Sequence, residues 1–343
     1  MRFVPVLSRT GQRLMPCHAA RARELLRTGR AVRRFDRGLF YLQLLDRAAG
    51  DTQSVAVGID PGSKKEAFTL KSAAHTYLNL QADAVTWVKA AEKTSTTMRR
   101  GRRYRKTPYR QMRVNRRQGQ FRLPPSTRAR WGWKLRIASW LARYYPISIF
   151  MVEDVQAVTK PGQRRWNRSF SPLEVGKQWF YAELQTIAAV GLVKGYDTAE
   201  GRNRLGLKKS KAKLSDDFAA HCVDSWVLAN MWTGGHDAPD NKAMLYVVPL
   251  RWHRRQLHRL EAEKGGKRKP YGSTNSLGFK RGSWIKHPKW GVCYVGGTTG
   301  GKISLHSLQT GKRLTQNAKP EACQFLTLSS WRIRKEQGAS SLP

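Results

Sequence analysis

A mixed α/β core, interrupted by a long basic tract and followed by a β-rich C-terminal segment, is the fold class this sequence predicts. Three observations predict it. Val55–Asp60 and Ile147–Glu153 are apolar runs that read as buried strands, and each ends on an acid. Between them, from Lys93 to Val152, there is no acidic residue in 60 positions, while lysine and arginine number 17. Beyond about residue 280, glycines punctuate short apolar runs at the spacing of a small β-barrel.

The elements follow in order. Residues 1–50 form a small basic module, with a strand at Val4–Leu7, a turn over Gly11–Pro16, a helix over His18–Thr28 and a second strand at Phe40–Leu45. Ala19, Ala22, Leu25 and Leu26 share one face of that helix, and Gly29 stops it. In residues 51–93 the Asp60 strand meets a Pro61-Gly62 turn. Glu66–Lys71 and His75–Leu80 complete an antiparallel meander, and a helix begins over Asp83–Lys93. Residues 94–125 hold the basic tract, in which Thr107, Pro108 and Gly119 delimit a helix with Arg110, Arg113 and Arg117 on one face. Residues 126–190 give a helix over Arg128–Tyr145, the Glu153 strand, and a helix opening at Phe170-Ser-Pro-Leu-Glu-Val and running to about Val190. Residues 191–240 give a strand at Leu192–Tyr196, a basic loop over Arg202–Lys213 and a helix over Leu214–Met231. A basic segment fills 241–278, with a Gly/Lys linker over Lys264–Ser276, and the small barrel is expected over 279–343.

Charge names the class of partner. Sixty-four Lys and Arg against 23 Asp and Glu give +41, a balance that repels itself unless it meets a polyanion. Nucleic acid fits, and 12 Trp with 11 Tyr supply surfaces on which bases stack. No apolar run approaches membrane-spanning length, and Met1-Arg-Phe-Val-Pro lacks the apolar core of a secretory signal, so a cytoplasmic protein with no membrane partner is expected. Cys17, Cys222, Cys293 and Cys323 are scattered without a Cys-x-x-Cys pair, which disfavours a disulfide framework or a structural zinc site.

Within the basic tract, Arg99, Arg100, Arg102, Arg103, Arg105, Arg110, Arg113, Arg116 and Arg117 are the candidate phosphate contacts. Each phosphate neutralised releases counterions, so such a segment binds tightly, blindly to sequence, and with strong salt dependence.

The chemistry is expected at four residues. Asp60 and Glu153 end two central strands, and Ser215-Asp-Asp217-Phe-Ala-Ala-His221-Cys-Val-Asp224 places His221 and Asp224 three apart on the last helix. By itself that helix is an ordinary one with a satisfied histidine and solvated acids, Asp217 among them. The order of elements gives it meaning: an acid-ended strand, two antiparallel strands, a helix, an acid-ended strand, a helix, a strand and the His221 helix follow the order of an RNase H-like sheet. Carboxylates converging from such positions hold two Mg²⁺ ions that hydrolyse a phosphodiester.

Gly58-Ile-Asp60-Pro-Gly, Val152-Glu153 and His221-Cys-Val-Asp224 resemble the three parts of a split RuvC nuclease. Leu14-Met-Pro-Cys-His18 is similar to the N-terminal PLMP module of the IscB family, with Arg13 in place of the first proline, and the arginine tract resembles that family's bridge helix. Only 67 residues separate Glu153 from His221, with no His-Asn-His pattern, so the likeness is to IsrB, the relatives that lack an HNH nuclease. Phe170–Phe180 and Gly206-Leu-Lys-Lys-Ser-Lys211 also look like that family. The resemblance implies an RNA-guided DNA nickase working as a monomer in a ribonucleoprotein, nucleoid-associated when bound to DNA. Its partners would be a long guide RNA (ωRNA), target double-stranded DNA and the RNA–DNA heteroduplex. Asp60, Glu153 and Asp224 would ligate two Mg²⁺ (or Mn²⁺) ions, and His221 would assist at the water or scissile phosphate. The basic segment over 241–278 would contact the RNA scaffold, and the C-terminal part would meet a short target-adjacent motif. A guide-independent junction-resolvase-like nuclease and a non-catalytic RNA-binding protein are the alternatives.

Overall fold

The computed structural model describes residues 2–104, 123–156, 171–251 and 275–334, with short backbone pairs at 260–261 and 266–267. Its architecture is mixed α/β, with six α-helices among the described residues and a β-rich C-terminal region. The chain divides into two compact units, residues 1–32 with 42–244, and residues 33–41 with 245–343.

The first unit opens on β1 (Phe3–Leu7), β2 (Arg13–His18) and α1 (Ala19–Arg27). The turn expected at Gly11–Pro16 is instead mostly strand. β2 lies at the edge of its sheet, beside β1, where a proline forfeits no ladder hydrogen bond to a further strand. The β1–β2 register also shifts between Val4 and Val6, beside Pro16. His18 caps α1 by accepting the Ala20 N–H at 3.4 Å. β3 (Ala31–Asp36) and β4 (Leu39–Leu44) form a hairpin whose two-residue turn, Arg37-Gly38, has positive φ at both positions.

The core of this unit is built on β5 (Val55–Asp60), buried along its whole length. β6 (Lys65–Lys71) and β7 (Thr76–Asp83) follow as the expected antiparallel meander. β8 (Ile147–Asp154) runs parallel to β5 on its other side, and β9 (Ala189–Lys194) runs parallel to β8, so these five strands stand in the order β7-β6-β5-β8-β9. Such parallel neighbours buried on both faces read as continuous apolar runs, and Val-Ala-Val-Gly-Ile has that texture.

Helices cover the sheet. α2 (Trp87–Tyr104) extends further into the basic tract than the sequence marked. The helix expected at 108–118 lies outside the described residues. α3 (Pro125–Leu141) buries Trp131, Trp133, Ile137 and Trp140. α4 (Pro172–Gln185) begins with a serine cap: Ser171 Oγ accepts the Glu174 N–H at 3.1 Å, with proline at the first turn. It ends earlier than Val190 because β9 claims Ala189 onward. Trp131 lies against Gly176, where a Cβ would come within 2.4 Å of the indole, so glycine lets α3 and α4 meet.

Two further departures concern the segment before the last helix. α5 (Gly195–Arg204) occupies the start of what the sequence reads as a basic loop. The helix expected over Leu214–Met231 is in fact a short 3-10 turn at Phe218–Ala220 followed by α6 (Cys222–Thr233), with a break at His221. Asp217 therefore does not sit one helical turn before His221. It lies ahead of the 3-10 turn, hydrogen-bonded to Ser215 Oγ at 2.5 Å.

α6 is buried on nearly all sides against β5 and β6. Gly58 explains how it comes so close: a Cβ there would stand 1.8 Å from the Ser225 carbonyl oxygen of α6. The buried Lys71 fastens the far end, donating to Thr233 Oγ1 at 3.2 Å and the Gly234 carbonyl at 2.5 Å.

In the second unit, Ser283–His287, Gly291–Thr299, Lys302–Ser307, Arg313–Ala318 and Gln324–Leu328 form a five-stranded antiparallel sheet. Ile285, Cys293, Val295, Ile303 and Leu305 are its buried core. The barrel expected here is an open sheet in its described hydrogen bonding, since the Arg313 and Gln324 strands are its two edges. The turn residue Gly38 packs against Ile333 and Trp284 of the same unit, and Arg37 lies 5.2 Å over the Trp331 ring.

Candidate active site

Two strand ends and one helix supply the acids. In the β5–β8 register Ile59 faces Val152, so Asp60 and Glu153 follow side by side where the two parallel strands end. α6, drawn onto β5 at Gly58, brings Asp224 from its first turn to the same place. Asp224 is 2% exposed and Asp60 8%. All four predicted residues are thus brought into one neighbourhood, with His221 at the break before α6.

His221 is held at both ring nitrogens. Nδ1 stands 3.5 Å from Asp60 Oδ2, and Nε2 lies 2.8 Å from the Lys213 carbonyl, which accepts its proton. Burial works to lower its pKa, but the Asp60 carboxylate and the Lys213 carbonyl outweigh it and hold the imidazole above its ordinary value. With an acceptor at each nitrogen, the surroundings of this histidine favour its charged form.

Glu153 carries the strongest perturbation. Burial first, then the charges of Asp60 and Asp224, push its carboxyl up to about 7, against partial relief from Lys209 and Arg202. Its Oε1 would lie 2.7 Å from a Cβ at Gly195, so glycine at the β9–α5 junction leaves room for that carboxylate.

Asp224 is answered by two cations that the sequence reading missed as site residues. Arg202 Nη1 of α5 meets Oδ1 at 2.6 Å, and Lys209 Nζ meets Oδ2. Arg202 was hidden because α5 itself was, and Lys209 stood in the quoted Gly206–Lys211 stretch without a role. Nearby, Lys177 of α4 donates to Asp154 at 2.7 Å and to Glu174 at 2.8 Å, while Tyr181 donates to Asp154 at 2.9 Å. This fixes the end of β8 next to Glu153.

The donor set has the hard-oxygen chemistry that Mg²⁺ prefers, and Gly195 leaves space at Glu153. Both Asp224 oxygens and Asp60 Oδ2 are engaged by side chains, however, and among the described residues no three acidic, histidine or cysteine groups stand at metal-ligand spacing. The residues fit such an ion in kind once Asp224 is released.

Of the predicted phosphate contacts, Arg99 and Arg100 are exposed on α2, and Arg102 and Arg103 continue that helix. Arg105, Arg110, Arg113, Arg116 and Arg117 lie outside the described residues. No described helix is long and apolar enough to cross a membrane.

Residues 4–165 match a family model described as RRXRR protein. The match takes in Asp60, Glu153 and the run Arg99-Arg-Gly-Arg-Arg103, and stops short of His221 and Asp224. No curated protein matches the chain.

Proposed function

We propose that this chain is an RNA-guided DNA endonuclease that nicks the displaced, non-target strand, with an RNase H-like (RuvC) core as in the IsrB proteins it resembles. The observation that carries the reading is the meeting of Asp60, Glu153 and Asp224, from two adjacent strand ends and one helix, in a chain of net charge +41. The strand order β7-β6-β5-β8-β9, with three antiparallel and then parallel neighbours, supports the same fold.

Asp60, Glu153 and Asp224 would hold Mg²⁺ or Mn²⁺, which when bound activates a water and stabilises the leaving oxygen of a phosphodiester. The chain's own residues do the rest. Gly58 and Lys71 seat α6 and with it Asp224. Lys177 and Tyr181 hold the end of β8, and so the direction of Glu153. His221, anchored by the Lys213 carbonyl, orients Asp60 and assists at the water or the scissile phosphate. The arginine tract holds guide and heteroduplex by backbone and shape, leaving sequence to base pairing. The β-rich second unit takes the target-adjacent duplex.

The test is to express the chain with the DNA flanking its gene, sequence the RNA that co-purifies, and assay nicking with Mg²⁺. One discrete RNA with a variable end, and nicking lost in Asp60→Ala while guided binding persists, is the expected result. Heterogeneous RNA with guide-independent cutting indicates a resolvase-like nuclease. RNA binding without any cutting indicates a binding protein.

A further inference from the structure

Lys209 reaches Asp224 from the segment that joins α5 to α6, and that segment is pinned. Its Ser210 N–H donates to the Ala219 carbonyl at 2.8 Å, and its Lys213 carbonyl accepts from His221 at 2.8 Å. Gln81 holds the Ser215 carbonyl at 3.2 Å, and Lys65 meets Asp216 at 3.2 Å. The ammonium is therefore delivered to the acids by a built loop. Arg202 approaches Asp224 from the other side, on the helix α5.

The ammonium does not serve Asp224 alone. It contacts Asp224, and its charge also bears on Asp60 and Glu153. Three carboxylates gathered at a buried sheet end repel one another strongly in the low local dielectric.

We propose that Lys209 is the resident counter-ion of this acid cluster, a stand-in that a divalent metal ion must displace from Asp224 before the site is loaded. This rests on the nuclease reading given above. Arg202 is the poorer candidate for displacement, because its side chain is 17% exposed and stems from a helix. The Lys209 side chain is 34% exposed, with a flexible four-carbon stem that can swing clear. A metal ion and an ammonium compete for the same Oδ2, so the lysine weakens metal binding and keeps the metal-free cluster from flying apart.

Two measurements on the full-length chain test this, neither using nicking. The first is Mn²⁺ binding by electron paramagnetic resonance, counting only the binding abolished by Asp60→Ala. Lys209→Gln should bind Mn²⁺ about tenfold more tightly than wild type, equivalent to about 1.4 kcal/mol of competition removed. Lys209→Arg, which keeps the charge, should stay within about twofold of wild type. Equal affinity in Lys209→Gln and wild type overturns the proposal and leaves the metal reading standing. No Asp60-dependent Mn²⁺ binding in any variant overturns both. The second needs no variant: acylation of the Lys209 amine, followed by mass spectrometry, should speed up when Mn²⁺ is added to wild-type protein. Labelling unchanged at saturating Mn²⁺ overturns the proposal even if Lys209→Gln fails to fold.

Discussion

At the residue scale, two side chains and one missing side chain set the site. Gly58 is there because α6 passes where a Cβ would be, 1.8 Å from a backbone oxygen that cannot swing aside. Gly58→Ala should destabilise the fold by about 3 kcal/mol, at the upper end of ordinary overpacking, and should lower nicking by shifting Asp224. Chemical denaturation checks this, and wild-type stability would disprove the close approach. Glu153, pushed up to about 7, gives a pH signature. A carboxyl raised in the folded state adds stability that is complete below its unfolded value, about 4.3, and is lost as pH climbs through about 7. Glu153→Gln should therefore stabilise metal-free protein at pH 8 by roughly 1–2 kcal/mol after allowance for partial solvent screening, seen as a higher melting temperature, and change little at pH 5. Melting curves in chelator at the two pH values decide it. Asp60 and Glu153 were legible in the sequence because an acid closing an apolar run is a local pattern, and Asp224 only through its spacing to His221 and the order of the elements. Arg202 and Lys209 were not, because nothing local marks one cation among 64 Lys and Arg as the partner of Asp224.

At the scale of elements, the sheet was readable and its dressing was not. β5, β6, β7 and β8 follow period-two or fully apolar patterns that specify a strand wherever they occur. α5, by contrast, reads Gly-Tyr-Asp-Thr-Ala-Glu-Gly-Arg-Asn-Arg, poor helix material with two glycines. Tertiary packing makes it helical: a Cβ at its Gly201 would come within 2.4 Å of Met231 on α6, so the glycine that weakens the helix also lets it dock. β2 hid behind Pro16, whose turn signal an edge position overrides. The contact of α3 with the sheet was equally hidden. Lys134 and Glu66 are 2% and 0% exposed and meet at 2.8 Å, with the ammonium 4.8 Å over the Trp131 ring. Burial, the larger influence, pushes Glu66 up to about 7 despite that lysine. Lys134→Met leaves an unpaired buried acid and should reduce stability by about 3 kcal/mol or more. The double variant Lys134→Met with Glu66→Leu should recover most of it, and a double variant no better than the single would argue against the pair.

At the scale of the whole molecule, charge is the governing fact. On the proposed function, a chain at +41 would gain much of its affinity for nucleic acid from released counterions, so binding should fall steeply and linearly on a log–log plot against salt. Arg99 and Arg100, both exposed on α2, are the described members of the tract on which this can be measured. Replacing both by alanine should flatten that slope by about 1–2 while leaving sequence preference unchanged. An unaltered slope would mean that those two side chains face water rather than phosphate.

The hairpin turn at Arg37-Gly38 has a consequence for synthesis. Residues 33–41 belong to the same compact unit as residues 245–343, so a piece of chain made early must wait for partners, Trp284, Trp331 and Ile333, made last. On the ribosome the second unit stays incomplete until residues as late as Ile333 have emerged, and its closure ties a loop of roughly 200 residues, 42–244, that belongs to the first unit. A fragment beginning at residue 245 would leave the Trp331 ring without the guanidinium that covers it. A chain cut short anywhere before Trp331 leaves the Arg37-Gly38 turn without Trp331 and Ile333.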